Sequence, residues 1–461
     1  MESNSNLLQT QNEVNNGIIT VKRNSSPLYR LDYTMWGSPL YGSQTLQQFS
    51  PQTLADRFYI YNTATDLFNT VPPATTFFSA GQAFLIRMRN NHVSYSVTTA
   101  PQTWTGIFTG TPTNGPVSVT LSGEKNGYNM VANPYASTIE AIKLLQTNAA
   151  EIEGTLYFWR RRNSTEPGNT SAYYATYTSA GGTSVPSGSP SDTSATPNGI
   201  IQVAQGFLVQ KKAGGTGQLI FNNAMRTADN ENQFFRGAKA EDRSRIWLNV
   251  TNTAGTFGQT LIAYMDSADN GIDRTDGKYL GDGTTALTSW VNDSEYIIQG
   301  RAPFQTSDIV PLHFRTLTAG IYTITLAEKD GIFANGQAVY IKDKQNGTTH
   351  NLQQSPYSFS SAAGAFSSRF EIVYASGVLS ANDSAAGNGI LLFKQNGEAV
   401  IRSSEMNLEL VEVYDMNGRL VANARNIHAR ELRLPLGQVN QVLIFRITTA
   451  DGVTISKKMV N

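Results

Sequence analysis

The stretch LELVEVYDMNGRLVA (408–422) decides the fold class, because it reads as an alternating strand, a two-residue turn and the start of a second strand. Apolar and polar residues alternate from Leu408 to Tyr414, as in a half-buried strand. Asn417-Gly418 then favours the positive φ angles of a tight hairpin. Similar runs recur at RFYIYN (57–62), QAFLIRM (82–88), RIWLNV (245–250) and VLIFRIT (442–448). We therefore predict an all-β protein of tandem antiparallel β-sandwich or jelly-roll-like domains, ending in a small C-terminal β-sandwich.

One short helix is predicted after residue 137. Ser137-Thr-Ile-Glu140 fits a capping box, with Ser137 as the N-cap and Glu140 reaching back to it. Ile139, Ile142 and Leu145 then place an apolar stripe along one side. This helix is expected to lie across a sheet.

Composition excludes several classes of function. The 461 residues carry 35 Lys+Arg and 35 Asp+Glu, so there is no net basic charge to attract nucleic acid. With no cysteine, disulfides, thiolate metal sites and cysteine nucleophiles are impossible. No apolar run reaches the roughly 18 residues of a transmembrane helix. The first residues, MESNSNLLQTQNEV, lack the basic and apolar regions of a secretory signal peptide.

The first half contains blocks that are repeated in the same order. Tyr33-Thr-Met-Trp-Gly-Ser-Pro39 resembles Tyr128-Asn-Met-Val-Ala-Asn-Pro134, and the later block AGQAFLI (80–86) resembles VAQGFLV (203–209). Between them, RFYIYN (57–62) corresponds to TLYFW (155–159). Preserved order favours an internal duplication over chance similarity of strands. The predicted organisation is an N-terminal extension (1–24), a duplicated β-unit (25–238, as 25–120 and 121–238), a β-sandwich (239–376), a linker (377–389) and a C-terminal domain (390–461).

The C-terminal domain resembles the sorting domains of type IX secretion substrates in Bacteroidetes. The residues that carry this resemblance lie in the hairpin, in a later turn and in the last strand: Tyr414, Asp415, Gly418, Arg419, Gly437, Lys457 and Lys458. The penultimate strand departs from the family, because Val442-Leu-Ile-Phe-Arg-Ile447 lacks its usual tyrosine. From the residues alone, an ordinary C-terminal sandwich is the alternative. An edge strand or a hairpin bearing Arg419 is a natural surface for a translocon to bind.

The resemblance implies a secreted or outer-surface protein that crosses the outer membrane through the type IX translocon and its sorting machinery. Many such proteins are then attached to cell-surface lipopolysaccharide. The preceding β-modules are interpreted as non-catalytic structural or adhesive modules, so the chain is not expected to be an enzyme. The alternative function is a carbohydrate-binding accessory region of a large secreted enzyme. These interpretations differ in whether the β-modules bind glycans.

Two further groups of residues are candidate sites. Asp266, Asp269, Asp273 and Asp276 lie on one glycine-containing loop and could supply oxygen ligands to calcium, although Arg274 places a cation among them. A solvated acidic turn explains the same residues without a metal. Trp159 and Tyr174 flank a long polar segment and could stack on sugar rings, or they could fill the core of a sheet. No other cofactor is predicted.

Overall fold

The computed structural model describes residues 1–96, 98–160, 174–184, 196–229, 243–281, 283–375, 390–395, 397–404, 406–415, 417–436, 442–452 and 454–460. It divides into two compact units, Met1–Ser376 and Gly377–Asn461. Antiparallel strands dominate both units, which confirms the all-β prediction. The predicted linker (377–389) and Gly437 lie outside the described residues. None of the helices in the described ranges is long and apolar enough to cross a bilayer.

The strands of the first repeat are β1 (Ile19–Asn24), β2 (Tyr33–Trp36), β3 (Leu40–Tyr41), β4 (Phe58–Asn62), β5 (Leu67–Thr70), β6 (Phe84–Arg87) and β7 (Thr105–Pro112). Those of the second repeat are β8 (Val117–Thr120), β9 (Tyr128–Ala132), β10 (Thr138–Glu140), β11 (Ile152–Trp159), β12 (Tyr174–Thr178), β13 (Gly181–Thr183), β14 (Ile200–Ile201), β15 (Gly206–Lys211), β16 (Gln218–Phe221) and β17 (Arg226–Thr227). Two α-helices are assigned in the described residues, α1 (Leu46–Phe49) and α2 (Ala141–Thr147).

The two repeats have the same strand order. In the first repeat the main sheet runs β2-β6-β4-β5, and in the second repeat β9-β15-β11-β12-β13. The three repeated sequence blocks therefore form the first three strands of each sheet, in equivalent positions. Each repeat also has its own core, built around Trp36 and Phe108 in the first and around Phe207 and Leu156 in the second.

The repeats meet through reciprocal contacts between equivalent residues. Trp36 forms an isolated β-bridge with Gln205. Val131 and Gln82, which are equivalent to Trp36 and Gln205 in the repeated blocks, form a second bridge. Two backbone hydrogen bonds follow the same relation: Gly37 N–H donates to Ala204 O (3.0 Å), and Ala132 N–H donates to Gly81 O (2.8 Å). This is the pattern of a two-fold interface, within one chain.

The rest of the first unit is a sandwich. Its strands are β18 (Ser244–Asn252), β19 (Phe257–Tyr264), β20 (Gly277–Lys278), β21 (Thr285–Val291), β22 (Ser294–Arg301), β23 (Ile309–Thr316), β24 (Gly320–Lys329), β25 (Tyr340–Asp343), β26 (Thr348–Asn351), β27 (Tyr357–Ser361) and β28 (Gly364–Val373). They pair in the order β26-β25-β28-β23-β21-β22-β19-β18-β24-β27, and β20 pairs with β22. The main core lies around Phe314, Tyr322 and Phe370.

The second unit is a small sandwich with its own core. Its strands are β29 (Ile390–Gln395), β30 (Glu398–Ser403), β31 (Leu408–Tyr414), β32 (Leu420–Ala429), β33 (Glu431–Pro435), β34 (Val442–Thr449) and β35 (Thr454–Val460). They form the sheets β29-β30-β33 and β32-β31-β34-β35. Val413, Phe445 and Ile447 are fully buried between them.

The predicted capping box at Ser137 is wrong. Thr138–Glu140 form strand β10, and α2 begins only at Ala141 with Glu140 as its N-cap. The Ser137 hydroxyl accepts a hydrogen bond from Arg226 Nε (3.0 Å) instead of capping the helix. A capping box is present at Thr45 of the shorter helix α1, which the sequence did not predict.

Part of the predicted N-terminal extension belongs to the first repeat. Ile19–Asn24 form β1, which pairs along its length with β7. Further upstream, Leu7 N–H donates to Ala136 O (2.8 Å), and the buried Arg226 also donates to Leu7 O. Side chains hold the segment before β1 as well: Asn6 accepts from Thr138 N–H (2.7 Å), and Met1 and Leu7 pack against the core of the first repeat.

Candidate functional site

An aromatic layer lies between the main sheets of the two repeats. Tyr33 packs edge-on against Tyr59 with ring centres 5.9 Å apart, and the equivalent pair Tyr128 and Tyr157 is 5.8 Å apart. A second equivalent pair is formed by Tyr61 with Phe68, whose ring centres are 5.2 Å apart, and by Trp159 with Tyr174, whose ring centres are 5.4 Å apart. Equivalent positions thus carry equivalent aromatic pairs, which bury a large apolar area between the sheets. Burial raises the pKa of Tyr128 to about 12.

Trp159 and Tyr174 are half-buried members of this layer. Their rings meet at 84°, and Trp159 also packs edge-on against Phe68 of the first repeat at 5.8 Å. Each ring therefore has a packing partner within the protein. Binding of a sugar by Trp159 and Tyr174 stays a prediction. Stacking on a sugar requires one open face of an aromatic ring beside these edge-on contacts.

Three of the four aspartates of the predicted calcium loop accept hydrogen bonds from the backbone of the loop itself. Asp269 accepts from Gly271 N–H (2.6 Å), and Asp273 accepts from the backbone of Asp269 (2.9 Å) and Thr275 (2.7 Å). Asp276 accepts from Asp273 N–H (2.7 Å), and its burial raises its pKa to about 7. In the described ranges, no three acidic or histidine side chains are grouped to hold a metal. Calcium binding by Asp266, Asp269, Asp273 and Asp276 stays a prediction, tested by melting with calcium and with a chelator.

The side chain of Arg274 extends from this loop and bonds the sandwich to the second repeat. Its guanidinium donates to Leu145 O (2.9 Å) in the last turn of α2 and to Ala149 O beyond it. Leu145 O belongs to the C-terminal turn of the helix and Ala149 O lies just beyond it, where the helix dipole favours a cation. On the same side, Thr155 donates from its hydroxyl to Asp276 O (3.0 Å). The acidic loop is therefore an inter-domain contact.

Replacing Arg274 with Ala should destabilise the first unit. The expected loss is about 1.5–3 kcal/mol, the range for hydrogen bonds made by a charged group. Urea unfolding of the full chain measures it, with Lys329→Ala, which removes an exposed cation at the end of β24, as the control. An unchanged midpoint for Arg274→Ala would show that the loop contact does not contribute to stability.

The hairpin that carries the sorting-domain resemblance is ordered by Asp415. Its Oδ1 accepts from the backbone N–H of Asn417 and of Arg419, both at 3.0 Å, and its Oδ2 accepts from Arg419 Nε at 3.0 Å. Gly418 provides the positive φ of +78° that the turn requires. These bonds, led by the one from Arg419 N–H, lower the pKa of the Asp415 carboxyl. The carboxylate is buried, whereas the Arg419 side chain is 77% exposed.

The remaining residues of the resemblance lie on neighbouring strands. Tyr414 pairs with Ile444 of β34, and Ile444 pairs with Lys458 of the last strand. Residues paired across a sheet share a face, so Tyr414 and Lys458 lie in one row, separated by about 10 Å at ordinary strand spacing. Lys457 instead pairs with Phe445 and lies on the core side at the sheet edge.

Family comparisons divide the chain at nearly the same place as the fold. The sequence profile of a family described as a domain of unknown function, DUF8693, matches residues 1–374. The chain belongs to this family. A second profile, described as the domain of unknown function DUF8694, matches residues 379–461. A search of curated proteins finds no match.

Sequence reasoning missed the features that join the DUF8693 region together. The sequence indicates a cation that competes for the acidic loop, but Arg274 donates to carbonyls of the second repeat. The close contact of Gly37 with Ala132 was also missed, although both residues fall inside the repeated blocks. The available signal was the small residue at each of these positions, because small residues at equivalent places in a repeat permit close approach.

Proposed function

We propose that the chain is the C-terminal portion of a protein secreted to the cell surface by a type IX secretion system, with residues 377–461 as its sorting domain. The observation that carries this proposal is that the described strands from Ile390 onward build a core of their own and belong to a second compact unit. A sorting signal must fold without its cargo, because unrelated cargoes carry it. The separate DUF8694 profile over residues 379–461 is consistent with such a module.

The surface of this domain suggests how export machinery would recognise it. The ordered hairpin displays Arg419, and the adjoining row contains Leu420, Tyr414 and Lys458. Leu420 is 44% exposed, so an apolar side chain stands beside two cations. Exposed arginine next to apolar and aromatic groups is the composition of interaction hot spots. The DUF8693 region would then be the non-catalytic cargo, acting as a structural or adhesive module.

The test is an export assay in a bacterium that has the type IX system. Residues 377–461 are fused behind a signal peptide and a fluorescent reporter, and surface and periplasmic fluorescence are compared. The proposal predicts surface fluorescence that disappears in a strain lacking the translocon. A fusion that stays in the periplasm of the competent strain contradicts the proposal.

Arg419→Ala should reduce surface fluorescence by about tenfold or more, the effect of losing a hot-spot arginine. The turn should survive, since Asp415 still accepts from the backbone at residues 417 and 419. Arg425→Ala is the matched control, because Arg425 is an exposed arginine on β32, the strand that follows the turn. Equal export of the two variants would show that the hairpin is not what the machinery reads.

A further inference from the structure

A groove opens where the two repeats of the DUF8693 region meet. One wall is formed by Ile60 and Tyr61 of β4 with the turn before β6, and the other by β8 and β9. Its volume is about 300 Å³, at the lower end of the range for small-molecule sites. This volume suits a compact ligand of one ring or two.

The lining of the groove is polar but carries no formal charge. Half of its residues are serine, threonine, asparagine or glutamine: Thr63, Ser79, Gln82, Ser118, Thr120 and Asn129. The others are apolar or aromatic, including Ile60, Val119 and Tyr61. An ionised ligand would enter without a counter-charge and would lose its hydration, which is costly. The groove therefore favours a neutral ligand that has both polar and apolar faces.

Several of these polar side chains already donate their hydroxyl or amide hydrogens to acceptors within the protein. Thr63 donates to Tyr128 O (2.6 Å), Ser118 donates to Gln218 Oε1 (2.7 Å), and Asn129 donates to Ser122 O (2.9 Å). Thr63 and Asn129 are thus held by backbone acceptors, and the two hydroxyl oxygens of Thr63 and Ser118 keep lone pairs that can accept. Such a set of acceptors matches a ligand rich in O–H donors.

Gln82 differs from its equivalent in the second repeat. Gln205 uses its Oε1 to accept from Gln202 N–H (2.8 Å) within its own turn. In the described part of the chain, the Gln82 amide has no such partner, although its backbone makes the equivalent turn with Ser79. Gln82 therefore does not use its side chain to close its own turn, as Gln205 does. Its amide N–H₂ can donate to a ligand, and its amide oxygen can accept from one.

We propose that this groove binds a neutral sugar residue. A pyranose has hydroxyl donors for the oxygens of Thr63 and Ser118, and a C–H face for Ile60 and Val119. The Gln82 amide would bond two neighbouring hydroxyls, as donor to one and acceptor from the other. This inference does not rest on export by the type IX system, because it concerns the first unit alone.

The test uses saturation-transfer NMR on the full chain with the methyl glycosides of glucose, galactose, mannose and N-acetylglucosamine. The methyl glycoside of glucuronic acid serves as the charged probe. At least one neutral glycoside should bind, with a dissociation constant on the order of 1 mM, and the charged probe should bind more weakly. Absence of binding by all four neutral glycosides, or preference for the charged probe, overturns the proposal.

Two variants locate the site. Ser79→Trp fills the groove from an exposed position and should abolish binding, whereas Ser43→Trp, exposed outside the groove, should leave it intact. Gln82→Ala should weaken binding by about tenfold, because a paired amide contributes roughly that factor. Binding that survives Ser79→Trp but is lost in Trp159→Ala would place the sugar on the aromatic pair and overturn the proposal.

Discussion

Replacing Asp343 with Ala is expected to lower the free energy of unfolding of the first unit by about 3–5 kcal/mol, as found when one partner of a buried ion pair is removed. Asp343 is fully buried and Arg369 is 5% exposed. Their closest contact is 2.9 Å, from Arg369 Nη2 to Asp343 Oδ2. Without the carboxylate, the guanidinium would remain in the core with no counter-charge.

The network around Asp343 explains why the loss should be large. Tyr357 O–H and Asn346 Nδ2 each donate to Oδ2 at 3.0 Å, and Gln345 N–H donates to Oδ1 at 3.0 Å. The carboxylate therefore closes the hairpin between β25 and β26 and joins it to β27 and β28. Removing it takes this acceptor from the two buried donors, the Tyr357 hydroxyl and the Arg369 guanidinium, and a buried donor without a partner adds a desolvation penalty.

The same network sets a dependence on pH. Burial alone would raise the pKa of Asp343, but hydrogen bonds from Arg369 and Tyr357 outweigh burial and lower it. A carboxyl whose pKa is lower in the folded state contributes stability above its unfolded pKa of about 4, and this contribution is lost as the pH falls further. Asp343→Ala should therefore cost most at neutral pH and progressively less in acid.

Urea unfolding of the full chain, followed at neutral and acid pH, measures both effects. Glu2→Ala is the control, because the Glu2–Lys22 pair is exposed and should contribute nothing measurable. The double variant Asp343→Ala with Arg369→Leu should lose less unfolding free energy than the two single variants lose in sum, because no unpaired charge remains. A single variant within about 1 kcal/mol of the parent would contradict the argument, because that is the scale of one neutral hydrogen bond.

The fold class follows from local sequence, whereas the joints between elements do not. Alternation over Leu408–Tyr414 and the turn at Asn417-Gly418 specify a hairpin without help from other segments, and β31 and β32 form it. Ser137 shows the limit of local reasoning. Its capping pattern is good, but pairing of Thr138–Glu140 with β14 and β17 takes precedence over helix initiation.

The candidate sites show the same limit. The sequence indicates that Trp159 and Tyr174 are neighbours, because both flank one polar segment. It cannot indicate Phe68, which arrives from the other repeat and covers an edge of Trp159. The groove near Gln82 was missed for the same reason, since its walls come from strands of different repeats. Contacts between distant segments depend on how the sheets pack, which alternation does not encode.

Gly37→Ala should be the second strongly destabilising change, with an expected loss of about 3 kcal/mol, the upper part of the range for overpacking. An added Cβ at Gly37 would lie 2.2 Å from Ala132 Cβ and 3.0 Å from Gln82 O. The neighbours are a backbone oxygen and a methyl fixed to a strand, so neither can rotate away. The two repeats would have to separate, which would disturb the bonds from Gly37 to Ala204 and from Ala132 to Gly81.

Calorimetric melting of the full chain measures the effect, with Gly42→Ala as the control. A Cβ at Gly42 would meet its nearest atom at 3.6 Å, an ordinary contact, so its melting temperature should hardly change. The sharper test exchanges the two side chains. Gly37→Ala combined with Ala132→Gly moves one methyl across the two-fold relation between equivalent positions and removes the 2.2 Å clash. The double variant should recover most of the loss, less the roughly 0.5–1 kcal/mol that glycine costs within a strand. If it is no more stable than Gly37→Ala alone, the close approach of these two residues is not what joins the repeats.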